Sequence, residues 1–245
     1  MGQIISVVSG KGGTGKTTTC GAIGTALASL GKFVLCIDAD TEMRNLDISL
    51  GLESFSPPDL NAALSGEVPL SDCIVKHPSI PRLSFIPAPY ETDLPGGAEL
   101  KRKLAEGYDF VLIDAPAGIG RGFDCAVEGA DGALVVATPD ASSYRDAGRA
   151  VEKLREAGVA APRLIVNRIR PSVLRRWRAT VDDAVDSVGA RLIGVVPEDK
   201  DVILAANLGS PLMLYSSRGA AAAYERIARR IAGEKQPVGR LRCNF

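Results

Sequence analysis

Short apolar runs alternate with amphipathic stretches along this chain. Ile4-Ile5-Ser6-Val7-Val8 and Phe33-Val34-Leu35-Cys36-Ile37 are apolar on both sides of the two-residue period, as strands covered on both faces must be. Strands are also read over Leu83-Ser84-Phe85-Ile86-Pro87, Phe110-Val111-Leu112-Ile113, Ala133 to Thr138, Arg163 to Arg168 and Leu192 to Asp199. Helical spacing fills the gaps. It predicts helices from the glycine-rich stretch after Val8 to near Gly31, over 97–106, from about Ser142 to Ala157 with Asp140 or Ser142 as cap, over 173–188 with a break near Arg178-Ala179, and over 218–232. Residues 54–80 are less regular, with a short helix over Leu60 to Leu64 capped by Asp59. Strands alternating with helices predict an α/β fold: a twisted, mostly parallel sheet with helices on both faces. No repeat or low-complexity segment interrupts it. Residues 1–235 read as one domain and 236–245 as a short tail.

The first strand runs into Ser9-Gly10-Lys11-Gly12-Gly13-Thr14-Gly15-Lys16-Thr17-Thr18. Gly10, Gly15, Lys16 and Thr17 meet the spacing G-x-x-x-x-G-K-[ST], and they lie between a strand and a helix, as a phosphate-binding loop requires. Glycines let backbone N–H groups close around phosphate oxygens, and the helix adds its positive end. Lys16 would reach the β- and γ-phosphates, and the Thr17 hydroxyl would hold Mg²⁺. Gly10, Gly12 and Gly15 also spell a dinucleotide fingerprint, with Asp38 near the place of a ribose-binding acid. That reading leaves Lys16 and Thr17 without a task, so a nucleoside triphosphate with Mg²⁺ is the better ligand.

Two further strands end in acids. Asp38 and Asp40 close the second, and Asp114 closes the Walker-B-like strand Phe110–Asp114; at the carboxyl ends of parallel strands they would face the ligand crevice. The loop Thr41–Asp47 follows the first pair. Glycines 118, 120 and 122 would make the loop after Asp114 pliable, as a nucleotide-sensing switch needs.

Composition narrows the class. The 245 residues carry zero formal net charge, which gives no global attraction to nucleic acid. No apolar run approaches a membrane span, and no signal peptide precedes the first strand. Cys20, Cys36, Cys73, Cys125 and Cys243 include no C-x-x-C pair, so free thiols in a reducing cytoplasm are expected. This also disfavours an iron–sulfur reductase, which needs paired cluster cysteines. His77, the single histidine, is read as a surface or packing residue.

With these residues in place, the chain resembles the deviant Walker A ATPases of the ParA/MinD family, a branch of the P-loop NTPases. The additional lysine, Lys11, is their mark. Asp38-Ala39-Asp40 with Arg44-Asn45-Leu46-Asp47 resembles their switch I, and Asp114-Ala115-Pro116-Ala117-Gly118-Ile119 their switch II. Ser142 to Asp146 and Gly194 to Val202 also match, so that the similarity spans roughly residues 3–235. The resemblance implies an ATP-dependent homodimer in which Lys11 crosses to the partner's phosphates, Asp40 orients the attacking water and Asn45 supports it. It implies that Gly10, Lys11, Gly12, Gly13, Thr14, Gly15, Lys16, Thr17 and Thr18 hold phosphate. Thr17, Asp38 and Asp114 would serve Mg²⁺, and Asn167, Arg168, Pro197 and Glu198 would hold adenine. The implied role is division-site placement on the inner membrane face, with a MinC-like inhibitor and a MinE-like activator.

Two departures stand out. The tail Gly239-Arg240-Leu241-Arg242-Cys243-Asn244-Phe245 is short for a membrane-binding helix; doubled in a dimer it could act through avidity, and otherwise it is a frayed terminus. Residues 88–107 are also shorter than usual. Arg168, Arg170, Arg175, Arg176 and Arg178 around Trp177 are read as a solvated face, with DNA binding as the alternative. A ParA-type partitioning or flagellar-placement ATPase, and a nucleotide-gated scaffold with incidental hydrolysis, remain the competing functions.

Overall fold

The computed structural model describes residues 2–89, 97–159, 161–170, 172 and 180–237. Eight strands form one sheet: β1 Gln3–Val8, β2 Val34–Asp38, β3 Val75–Lys76, β4 Leu83–Ile86, β5 Phe110–Asp114, β6 Gly132–Ala137, β7 Arg163–Ile169 and β8 Arg191–Pro197. Their order is β3-β4-β2-β5-β1-β6-β7-β8, parallel throughout except for the β3 edge, which pairs antiparallel with β4. The helices are α1 Lys16–Ser29, α2 Leu46–Leu50, α3 Leu60–Leu64, α4 Gly97–Ala105, α5 Arg121–Val127 and α6 Ala141–Glu156. After them come α7 Val181–Val188, α8 Lys200–Asn207, α9 Leu212–Tyr215 and α10 Gly219–Ile231.

The two-residue period divides the core into two layers. From β1, Ile4 and Val8 join one layer while Ile5 and Val7 join the other; β5 splits Val111 and Ile113 from Phe110 and Leu112 in the same way. The first layer packs under α4, α5, α6 and α7, the second under α1 and α10. α1 is buried nearly all round, between the sheet and the neighbouring α2 and α10, which explains why it lacks a polar face. β1 lies near the centre of the sheet, between β5 and β6, so the loop that follows it opens at the point where the strand order turns.

Most expected elements stand where the pattern placed them. Asp59 caps α3 through the Asn61 and Ala62 N–H groups, and Asp140, rather than Ser142, caps α6. Three expectations change. Thr41–Asp47 is not wholly loop, because α2 begins at Leu46. Gly122 lies inside α5, where a Cβ would meet Pro116 Cγ at 2.6 Å; it permits close packing rather than pliability. The sequence pattern also missed α8 and α9, which expose Ile203, Leu204 and Leu214 and so show no clean apolar stripe. Cys20, Cys36 and Cys73 are buried free thiols and Cys125 is half-buried. His77 is a packing residue: its ring bridges the Leu50 carbonyl and the Ser79 N–H. The break near Arg178-Ala179, the cluster Arg175–Arg178 with Trp177, and the tail from 238 onward lie outside the described residues.

Candidate nucleotide site

The site forms where β1, β2 and β5 end. Gly15 precedes α1 with φ 88°, the left-handed region that glycine enters without cost. A Cβ there would sit 2.3 Å from Asn167 Nδ2, so glycine is required on two counts. No side chain caps α1, and the N–H groups of a helix's first turn have no partner within the helix. An anion is the natural partner for such a helix end.

Side-chain alternation places the acids. Asp38 and Asp114 are direct register partners on β2 and β5, and both share the sheet face that α1 covers, with Val34, Cys36, Phe110 and Leu112. Lys16 Nζ lies 2.8 Å from Asp114 Oδ1 and 4.0 Å from Asp40 Oδ2, nearly sealed from solvent. Asp114 Oδ2 is buried without a hydrogen-bond partner, and so is Thr14 Oγ1. Burial raises the Asp114 carboxyl above its ordinary range, although the Lys16 charge and the Thr17 hydroxyl act against it. Burial also pushes Asp38 up to about 7, with the Asp114 charge adding to the effect. Backbone N–H groups of Asp40 and Leu46 bond the two Asp38 oxygens at 2.9 and 3.2 Å and offset part of the shift. Asp38 therefore braces the loop that carries Asp40 and Asn45.

Two carboxylates, Asp114 and Asp40, thus face one lysine, with Asp38 the register neighbour of Asp114. This imbalance, the unpartnered Oδ2 and the Thr17 hydroxyl fit a hard divalent cation. Among the described residues no three acidic, histidine or cysteine side chains form a ready metal cage. That too suits Mg²⁺, which is held through one or two protein oxygens, phosphates and water.

Asp40 is half-buried at the crevice edge, with Oδ1 accepting the Met43 N–H at 3.1 Å. Asn45 is exposed at the start of α2. Lys11 turns back onto its own chain, where its Nζ is 3.0 Å from Asp140 Oδ1 and 2.9 Å from Ser142 Oγ. Partial burial opposes the Asp140 charge, but bonds from Thr138, Ser142, Ser143 and Lys11 outweigh it and hold the carboxyl well below the usual range. Nothing in the spacing announced this contact, since 129 residues separate its ends.

The expected adenine residues come together. Gly15, Thr18, Asn167, Arg168, Pro197 and Glu198 line one cavity of about 140 Å³ beside α1. Arg168 adopts φ 56° at a register shift in β7, which keeps its side chain exposed while Asn167 stays buried. Glu198 is engaged by the Arg170 guanidinium. Two neighbours were not among the expected site residues. Tyr224 reaches from α10, with its hydroxyl 3.1 Å from Thr19 Oγ1 and 3.4 Å from Asn167 Oδ1. Asp199 caps α8 and accepts the Ala220 N–H at 2.9 Å, which ties α8 to α10. Asn167 Nδ2 completes the chain by donating to the Thr14 carbonyl at 2.8 Å.

Residues 5–212 match the CobQ/CobB/MinD/ParA nucleotide binding domain. The chain belongs to this family. Within the family it is similar to MinD proteins. It is 40% identical to the septum site-determining protein MinD of Bacillus subtilis, over 97% of this chain and 92% of that protein. The MinC:MinD cell division protein complex of Aquifex aeolicus contains a chain 40% identical, with TM-score 0.89 over 97% of this chain and 98% of that one. The Pyrococcus horikoshii MinD solved with Mg-ADP is 31% identical, with TM-score 0.85 over 94% of this chain and 96% of that one. Among the described residues, no helix is long and apolar enough to cross a membrane.

Proposed function

We propose that this chain is a MinD-type ATPase: a switch that dimerises with ATP, hydrolyses it to ADP and phosphate, and helps place the division septum. The observation that carries the reading is the buried, unpartnered Asp114 Oδ2 beside Lys16 and Thr17, at the open end of α1. It describes a site prepared for a cation and a phosphate chain. The MinD relatives supply the biological setting. The Aquifex neighbour, solved with MinC, supports a MinC-like partner.

In this reading the N–H groups of the Gly10–Thr18 loop cradle the phosphates, and Lys16 moves from Asp114 to the β- and γ-phosphate oxygens. Thr17 and Asp114 would hold Mg²⁺, which would supply charge neutralisation at the phosphates. Asp40 orients a water with the support of Asn45. The water oxygen bonds to the γ-phosphorus as the bond to the β–γ bridging oxygen breaks, and the water's protons pass to the released phosphate. Lys11 exchanges Asp140 for the phosphates of a second copy, which makes hydrolysis depend on dimerisation. A charged group delivered in trans accelerates such transfers by on the order of 10³–10⁵. Asn167, Arg168 and Pro197 receive the adenine, and Tyr224 steadies Asn167.

The test measures phosphate release, mass by light scattering, and co-sedimentation with phosphatidylglycerol vesicles, each with Mg-ATP and Mg-ADP. Mass should double with ATP alone, Lys16→Ala should abolish phosphate release, and ATP should favour pelleting. No mass change and no release above background would refute the switch. ATP-dependent DNA binding without pelleting would reassign the chain to a partitioning role.

A further inference from the structure

The opposite end of the sheet holds a second concavity that the nucleotide reading does not use. The amino ends of β1, β6, β7 and β8 open there into a cavity of about 610 Å³. Its lining is strongly basic although the whole chain is electrically neutral. Arg163 and Arg191 open β7 and β8, and they are direct register partners on parallel strands. Like charges placed opposite each other across a strand pair are destabilising unless something compensates them. Nothing among the described residues does, since neither guanidinium has a hydrogen-bond or ion-pair partner there.

Two further arginines close the sides, and their geometry is fixed. Arg155 of α6 donates from Nη2 to the Gly189 carbonyl at 2.6 Å. Arg230 of α10 donates to the Ile193 carbonyl through Nη1 and to the Gln236 carbonyl, at 2.8 Å, through Nε. Backbone carbonyls thus hold both heads without cancelling their charge. Asp131 is the single acid among the lining residues. It is already committed, accepting the Ile4 N–H at 2.8 Å and pairing in a fork with Arg102 at 2.7 and 3.1 Å. Four cations against one engaged acid, in a concave wall, concentrate positive potential where a ligand can enter. Guanidinium forks match the oxygen spacing of phosphate, and positions held in advance cost less to order on binding.

We propose that this cavity is a second anion site, which takes a compact oligophosphate with Arg163 and Arg191 as its principal contacts. Its volume lies in the range of small-ligand pockets, about 300–1,000 Å³. A chain of two or three phosphates carries enough negative charge to cancel the excess. The cavity lies across the sheet from Lys16, so both sites can be filled together.

The probe is inorganic tripolyphosphate, titrated calorimetrically into the full chain saturated with Mg-ADP at matched free Mg²⁺. ADP occupies the first site, and its affinity, measured separately, reports on that site alone. We expect one additional binding event per chain. In the R163Q/R191Q double variant it should weaken by on the order of tenfold or more, with ADP affinity and thermal stability retained. R163K/R191K, which keeps the charge and loses the fork, should fall between the two. Absence of a second event in the ADP-loaded chain overturns the proposal, and so does an event of equal strength in the double variant. Duplex DNA binding that is lost in the double variant, with no tripolyphosphate event, would overturn it in favour of a nucleic-acid surface.

Discussion

Replacing Asp38 by asparagine should destabilise the nucleotide-free protein in acid and stabilise it in base. The Asp38 carboxyl rises from 3.8 to about 7 on folding. A group whose pKa is raised by folding contributes stability below its unfolded value and loses it as pH climbs through the folded value. About three units at 1.36 kcal/mol each make that loss about 4 kcal/mol between roughly pH 4 and pH 8. Asparagine cannot ionise and escapes the loss. It has its own cost, because the Asp40 and Leu46 N–H groups each bond one Asp38 oxygen and the amide offers only one. The N–H left facing the NH₂ group costs about 1–3 kcal/mol. The variant should therefore be less stable than the parent by about 1–3 kcal/mol near pH 4 and more stable by about the same amount near pH 8. Urea unfolding with EDTA and no nucleotide, at four pH values across that window, gives the two curves. They should cross. A difference that stays flat with pH would show that Asp38 is not held neutral by its surroundings, and the argument would fail.

Other perturbations probe the remaining parts. Gly15→Ala forces a left-handed residue and drives a methyl group against Asn167, so it should cost about 2–3 kcal/mol in unfolding and abolish calorimetric ADP binding. Lys11→Ala should keep monomeric nucleotide affinity while losing ATP-driven mass doubling and phosphate release; release at the parent rate would refute a trans role. Lys101 is buried and donates to the Cys125, Ala126 and Glu128 carbonyls at the end of α5. Lys101→Met should lower stability by about 2–3 kcal/mol and increase hydrogen exchange in α5, the helix that follows the Asp114 loop.

The sequence by itself determined the succession of the seven parallel strands and of the longer helices, the phosphate loop and the acids that face it. These are local or periodic properties. A strand covered on both faces reads as a short apolar run, and a loop that must close on phosphate needs glycine, lysine and threonine at set spacing within ten residues. The adenine residues were legible only through family resemblance, since Asn167 and Arg168 lie some 150 residues from Gly15 with no local mark of their purpose. Tertiary structure alone decided what depends on register and approach. It placed Asp38 opposite Asp114 on adjoining strands and so raised the Asp38 pKa to about 7. It brought Lys11 to Asp140, Tyr224 to Thr19 and Asn167, and Lys101 to the end of α5. It turned Gly122 from a loop residue into a packing one. It also set Arg163 beside Arg191, so that a chain without net charge carries a concentrated positive cavity. Composition sums charges along the chain, whereas a ligand meets only those that folding gathers on one wall.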